Sequence, residues 1–205
     1  MSLPAPAARI GCCSAWVRAR WCWRWRSTWP PPPVAVITSS EQESSVTPNP
    51  DTITGLETPR GDGNARDALI GFYRAFNARD LDGLAANWAA AEAPSMDNPI
   101  GGIRRGWPAI REAYERLFNG RARVQVAFHD FTEAGGADWH IFVGREKGMC
   151  ETVDARLDLR IRTTRWFTRQ DGVWRQLHHH GSIEEPAMLA AYQSVIFGAP
   201  LSAPG

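Results

Sequence analysis

Lysine is nearly missing from this 205-residue chain: of its 23 basic side chains only Lys147 is not an arginine. That usage reads as a genomic composition bias and not as chemistry. Cysteine is scarce where it would matter. Three of the four cysteines are Cys12, Cys13 and Cys22, so Cys150 stands alone in the remainder and an internal disulfide there is excluded. A cytoplasmic location fits that usage. No apolar run approaches the roughly 18–20 residues that a membrane-crossing helix needs, so no membrane span is expected. Charge of one sign is missing too. Residues 61–205 carry 17 basic and 18 acidic side chains, a balance that argues against nucleic acid as the main partner. Neither a Gly-rich nucleotide loop nor a nucleophile elbow is found, so no cofactor is expected.

The first 60 residues differ from the rest in composition. Five of the ten tryptophans fall between Trp16 and Trp29, among five arginines and no acid within residues 1–33. A proline run, Pro30–Pro33, leads into a Ser/Thr/Pro/Glu-rich stretch. Low complexity suits a disordered or untranslated extension, whereas the Trp/Arg alternation suits a membrane-surface segment. A secretory signal fits less well, because arginines interrupt every apolar stretch. Cys12, Cys13 and Cys22 lack a fourth metal ligand at suitable spacing. The expected organisation is a 1–60 extension, a folded domain over 61–198 and a disordered tail over 199–205.

Within 61–198 the periodicities are plain. Leu69, Phe72, Tyr73 and Phe76 recur at helical spacing. Asp80 is placed to cap a second helix presenting Leu84 and Trp88, and Pro94 limits it. A short extended pair, Ser95–Asn98 and Ile103–Arg105, precedes a third helix that starts near Pro108 and stops at Asn119-Gly120. The period then becomes two: Val124, Val126 and Phe128; Trp139, Ile141 and Val143; Leu157, Leu159 and Ile161. Pro186 opens a last helix ended by Gly198. These elements predict an α+β domain, a curved antiparallel sheet closed by three N-terminal helices into a cone, with a short C-terminal helix.

The most informative segment is the last hairpin. Asp171-Gly172 is a two-residue turn signal. If those residues are the whole loop, Arg165 lies opposite His178 and Thr163 opposite His180, all on the face that carries Leu159 and Ile161. A cation on an apolar face needs a partner or a ligand, because an unpaired buried charge is costly. Glu146 and Asp97 are the acidic partners considered. The cation beside His178 would hold that imidazole neutral near pH 7 until an anion arrives. Only two of the three histidines share a face, so no metal site is expected.

In order and spacing these elements resemble the nuclear transport factor 2-like superfamily, which includes SnoaL-like polyketide cyclases and ketosteroid isomerases. Asn98-Pro99-Ile100-Gly101, followed by Gly106 and a helix to Tyr114, resembles the Asp-Pro-x-Gly region of the isomerases. Thr164-Arg165-Trp166, Asp171-Gly172-x-Trp174 and His178-x-His180 resemble the end of the calcium/calmodulin-dependent protein kinase II association domain. The resemblance implies a cone-shaped pocket and a homodimer. Two departures matter. The isomerases' carboxylate base is Asn98 here, and an amide cannot act as a general base. The association domain has a basic residue near the position where Gly181 stands here. The expected site therefore has His178, His180 and Asp97 in acid–base roles, with Arg165, Tyr73, Trp88, Asn98 and Thr163 around a small-molecule ligand. The expected chemistry is isomerisation, cyclisation or hydration; a non-catalytic homo-oligomeric association or protein-binding module is the alternative.

Overall fold

The computed structural model describes residues 47–90 and 93–198. The Trp/Arg-rich stretch and the tail expected over 199–205 lie outside the described residues. Among the described residues four helices and six strands follow one another as the periodicities predict: α1 (Ala65–Ala78), α2 (Leu81–Asn87), β1 (Ser95–Asp97), β2 (Ile103–Arg105), α3 (Trp107–Asn119), β3 (Arg123–Gly135), β4 (Trp139–Glu151), β5 (Arg156–Gln170), β6 (Val173–Ser182) and α4 (Pro186–Phe197). No helix among the described residues is long and apolar enough to cross a membrane.

Local chemistry sets the boundaries. Asn64 caps α1 by accepting from the Asp67 amide at 2.8 Å, and Asp80 caps α2 by accepting from the Asp82 and Gly83 amides. An unsatisfied first turn would leave those amides without partners. Between β5 and β6, Asp171 and Gly172 adopt φ of 50° and 80°, the left-handed pair that a tight hairpin needs.

The sheet runs β2-β1-β6-β5-β4-β3. It is mixed and not purely antiparallel, because β1 lies parallel to β6, with Met96 beside His179. Its curvature has a visible cause in β3, where the register shifts between His129 and Thr132 and Asp130 takes φ of 48°. The extra residues turn both Phe128 and Phe131 into the core. Phe131 then packs where β4 has Gly144: a methyl group there would stand 2.5 Å from Phe131 Cβ. On β4 the buried face is Phe142, Glu146 and Cys150, while Trp139 and Val143 of the predicted alternation face outward.

The concave face receives α1 through Leu69, Phe72, Tyr73 and Phe76, and α3 through Ile110 and Tyr114. The chain joins this core earlier than the expected start at 61. Ile53 is buried and pairs with Phe128, and Arg74 donates to the carbonyls of Gly55 and Glu57 at 2.9 and 2.7 Å. Truncating a buried isoleucine costs about 2–5 kcal/mol. In urea unfolding, Ile53→Ala should lose that much, and a chain starting at residue 61 should be less stable than one starting at 47. Equal stability of the two truncations would remove this segment from the fold.

Candidate functional site

Every second residue of β5 from Leu159 to Phe167 is buried, so the strand carries Arg165 into the core along with Thr163. There it meets α1, β4 and β6. The Arg165 Nη2 donates to Glu146 Oε1 at 2.8 Å, Nη1 to Gln176 Oε1 at 2.9 Å and Nε to the Tyr73 hydroxyl at 3.0 Å. Tyr73 in turn donates to the same Glu146 oxygen at 2.7 Å. The guanidinium carbon lies 3.6 Å from the Phe72 ring centroid, so the cation also has an aromatic face beneath it. Burial alone would favour losing the proton, but Tyr73 and Glu146 outweigh it and hold the Arg165 pKa above its ordinary value. The Tyr73 hydroxyl is pushed well above its usual range, mainly by burial, and stays a donor.

The histidines are where the structure corrects the sequence reading. Close to the turn the expected register holds, with Phe167 opposite Gln176. Between Trp166 and Phe167 the register shifts, so Trp166 faces His178, Arg165 faces His179 and Thr164 faces His180. A bulge of this kind inserts one residue on one strand and exchanges the faces of all that follow. His179 is therefore the inward histidine, and Thr163 lies opposite Gly181. His178 and His180 go to the other face with two β1 residues: Ser95 Oγ is 2.8 Å from His178 Nδ1, and Asp97 is 3.2 Å from His180 Nδ1. The pKa of His178 is lowered, by burial first and His180 second, and not by Arg165.

Above the ion pair lies a cavity of about 470 Å³. Glu146, Arg165 and His179 line its polar end, and Phe72, Phe76, Tyr114, Val126 and Ile161 form apolar walls. Tyr192, Ile196 and Phe197 of α4 also line it. Asn98 of the expected set lines it as well; Asp97, His178 and His180 do not. Tyr73 and Thr163 are buried outside the lining, and Trp88 packs one layer back against Tyr114, ring centroids 6.5 Å apart. His179 Nδ1 and Asn98 Oδ1 are buried without partners, as are Thr163 Oγ1 and Trp88 Nε1. A methyl group at Gly181 would stand 3.0 Å from Pro99 Cδ and 3.2 Å from His179 Nε2, so the inward histidine occupies the space a side chain there would need.

Two residues of this site were not placed there by sequence reasoning, His179 and Gln176. The even-numbered histidines were favoured because a bulge leaves no mark in the residue pattern. Glu146 had been considered as a partner, and its period on β4 with Phe142 is the signal that puts it inside.

Burial, then Arg165, pushes the His179 pKa well below 6.5. The unfolded chain therefore takes up a proton that the folded chain refuses, and stability is whole above pH 6.5 and falls as the pH drops from there towards the folded-state pKa. Urea unfolding from pH 7 downward should show this loss, and His179→Gln should flatten it more than His178→Gln. At neutral pH, Glu146→Ala should destabilise by about 3–5 kcal/mol, since it strands a buried cation, and Glu146→Leu combined with Arg165→Met should recover much of that.

A family profile for the SnoaL-like domain matches residues 65–186. No curated protein matches the sequence significantly. Among solved structures, a provisionally assigned dehydratase of the NTF2-like family from Streptomyces avermitilis is similar at 20% identity and a TM-score of 0.53, covering 61% of this chain and 97% of that one. A provisionally assigned calcium/calmodulin-dependent protein kinase II association domain from Xanthomonas campestris is similar at 17% identity and a TM-score of 0.51, covering 63% and 94%. One from Thiobacillus denitrificans reaches 27% identity with a TM-score of 0.48, covering 58% and 94%. With the profile spanning more than half of the sequence, the chain belongs to the SnoaL-like domain family.

Proposed function

We propose that the cavity binds a small, mostly apolar molecule through one oxygen-bearing end and performs cofactor-free acid–base chemistry on it: isomerisation, cyclisation or hydration. The observation that carries this reading is the buried Arg165–Glu146 pair at one end of a cavity whose walls are mostly apolar. Desolvating an ion pair costs several kcal/mol per ion, and well-packed apolar side chains would stabilise a fold at least as well. Large apolar pockets with a few convergent polar groups are the usual form of a small-molecule site.

The groups have divisible tasks. Arg165 spends three of its five N–H donors on Tyr73, Gln176 and Glu146, leaving two to polarise a ligand oxygen. Both donors to Glu146 fall on Oε1, which leaves Oε2 to accept a proton from the ligand. Once protonated, Glu146 can return that proton at a second ligand atom, while His179, neutral at pH 7 and lining the same space, donates its N–H as a hydrogen bond to the ligand. Glu146 thus takes the acid–base role, and His179 a hydrogen-bonding one, in place of the expected His178, His180 and Asp97.

A second reading has a specific observation in its favour. Trp139, Val143 and Trp166 are large apolar side chains exposed on the outer face of β4 and β5. A twofold contact through this face would cover them and make the domain an association module.

Thermal unfolding of the full chain against small carboxylates, keto acids, polyketide-like aromatics and steroids separates the two. A ligand at a hundred times its Kd adds about 2.7 kcal/mol. The expected result is a shift that Ala113→Trp, which fills the cavity, removes and Trp166→Asp leaves intact. No shift with any compound, together with a dimer that Trp166→Asp dissociates, would favour the association module.

A further inference from the structure

One inner-face row crosses four strands. Arg104 of β2 pairs with Met96 of β1, Met96 lies beside His179 of β6, and His179 pairs with Arg165 of β5. Strands lie about 4.8 Å apart, so this row sets the two arginine backbones roughly 14 Å apart across the cavity. Both guanidinium-bearing residues line it, but their surroundings differ.

Arg165 is already matched by Glu146 at 2.8 Å. Arg116, also on the lining, is exposed and paired with Glu112 on its own helix. His179, between the arginines, is held neutral by burial and by Arg165. Arg104 is half-buried and forms no salt bridge among the described residues. Its guanidinium lies back over Gly102, where any Cβ would stand 2.7 Å from Nη1, and Gly101 and Gly102 both take positive φ, 107° and 79°. A side chain at Gly102 would displace it. Counting ionised groups on the lining, Arg165 cancels Glu146 and Arg116 is answered by Glu112. Arg104 alone leaves an unmatched charge.

We infer that Arg104 is the anion anchor of this cavity and that its ligand is an amphipathic monocarboxylate. This rests on the small-molecule reading above. The acid group sits at Arg104, the body crosses between Phe76, Tyr114 and Ile161, and a neutral oxygenated end reaches Glu146 and His179. The reverse orientation would set a ligand carboxylate beside that of Glu146, and like charges at short range are disfavoured. A single planar guanidinium matches a carboxylate through two parallel N–H donors. With one unmatched cation, a monoanion fits better than a dianionic phosphate.

The test is calorimetric binding to the full chain of matched pairs: phenylbutyrate and phenylbutyramide, naphthylacetate and naphthylacetamide. A charge-assisted contact predicts that each acid binds about tenfold or more tightly than its amide. Arg104→Gln should bring acid affinity down to that of the amide and so erase the preference, while Arg104→Lys and Arg116→Gln should keep it. Acid and amide binding equally to the wild type would overturn the anchor while leaving the cavity reading intact. A preference that survives Arg104→Gln would also overturn it. Binding of neither member of any pair would remove the cavity reading and the anchor together.

Discussion

The Arg165–Glu146 ion pair is the constraint on which the centre of this molecule turns. Neither ion can be buried alone, and the pair is satisfied only where four elements meet: β5 for Arg165, β4 for Glu146, α1 for Tyr73 and β6 for Gln176. A register slip in β4 or β5 would send one ion outward and leave the other stranded. Alternation of apolar residues asks only for a buried face, whereas the ion pair asks for one register. It therefore sets the alignment of the two longest neighbouring strands, Glu146 lying across from Ile161 and Arg165 across from Phe142.

How much of this can be read from residues alone follows from which rules act locally. Helix ends were legible because Asp80, Pro108 and Gly198 act on their own backbone. The hairpin turn was legible because Asp171-Gly172 needs no distant partner. The inward placement of Arg165 followed from strand period with Leu159 and Ile161. The identity of its neighbouring histidine did not follow, because one unpaired residue near Leu177 reverses the face of His178, His179 and His180. That bulge depends on how β6 meets both β5 and β1, a tertiary matter. The start of the folded region was missed for a related reason. Ile53 sits in a polar, proline-containing stretch, and only its contact with Phe128 shows that it belongs to the core.

The face exchange has a chemical outcome. Three adjacent histidines become two different environments, one imidazole inside beside a cation and two outside beside Ser95 and Asp97. The inner one is kept neutral, whereas the outer two remain accessible to whatever covers that side of the sheet. Among the described residues Asn98 and Glu146 both line the cavity, and the acidic group on its wall is supplied by β4.

The division between the closed ion pair and the open rim bears on how this domain can change over generations. Arg165 and Glu146 neutralise one another, with Tyr73 and Gln176 hydrogen-bonded to the guanidinium, and Arg104 takes no part in that network. In the proposed reading, substitution of Arg104 alters which ligand the cavity prefers while the ion pair that aligns β4 with β5 stays in place. Charge preference can then drift at the rim, whereas Arg165 and Glu146, which in that reading serve the sheet and the chemistry together, stay fixed.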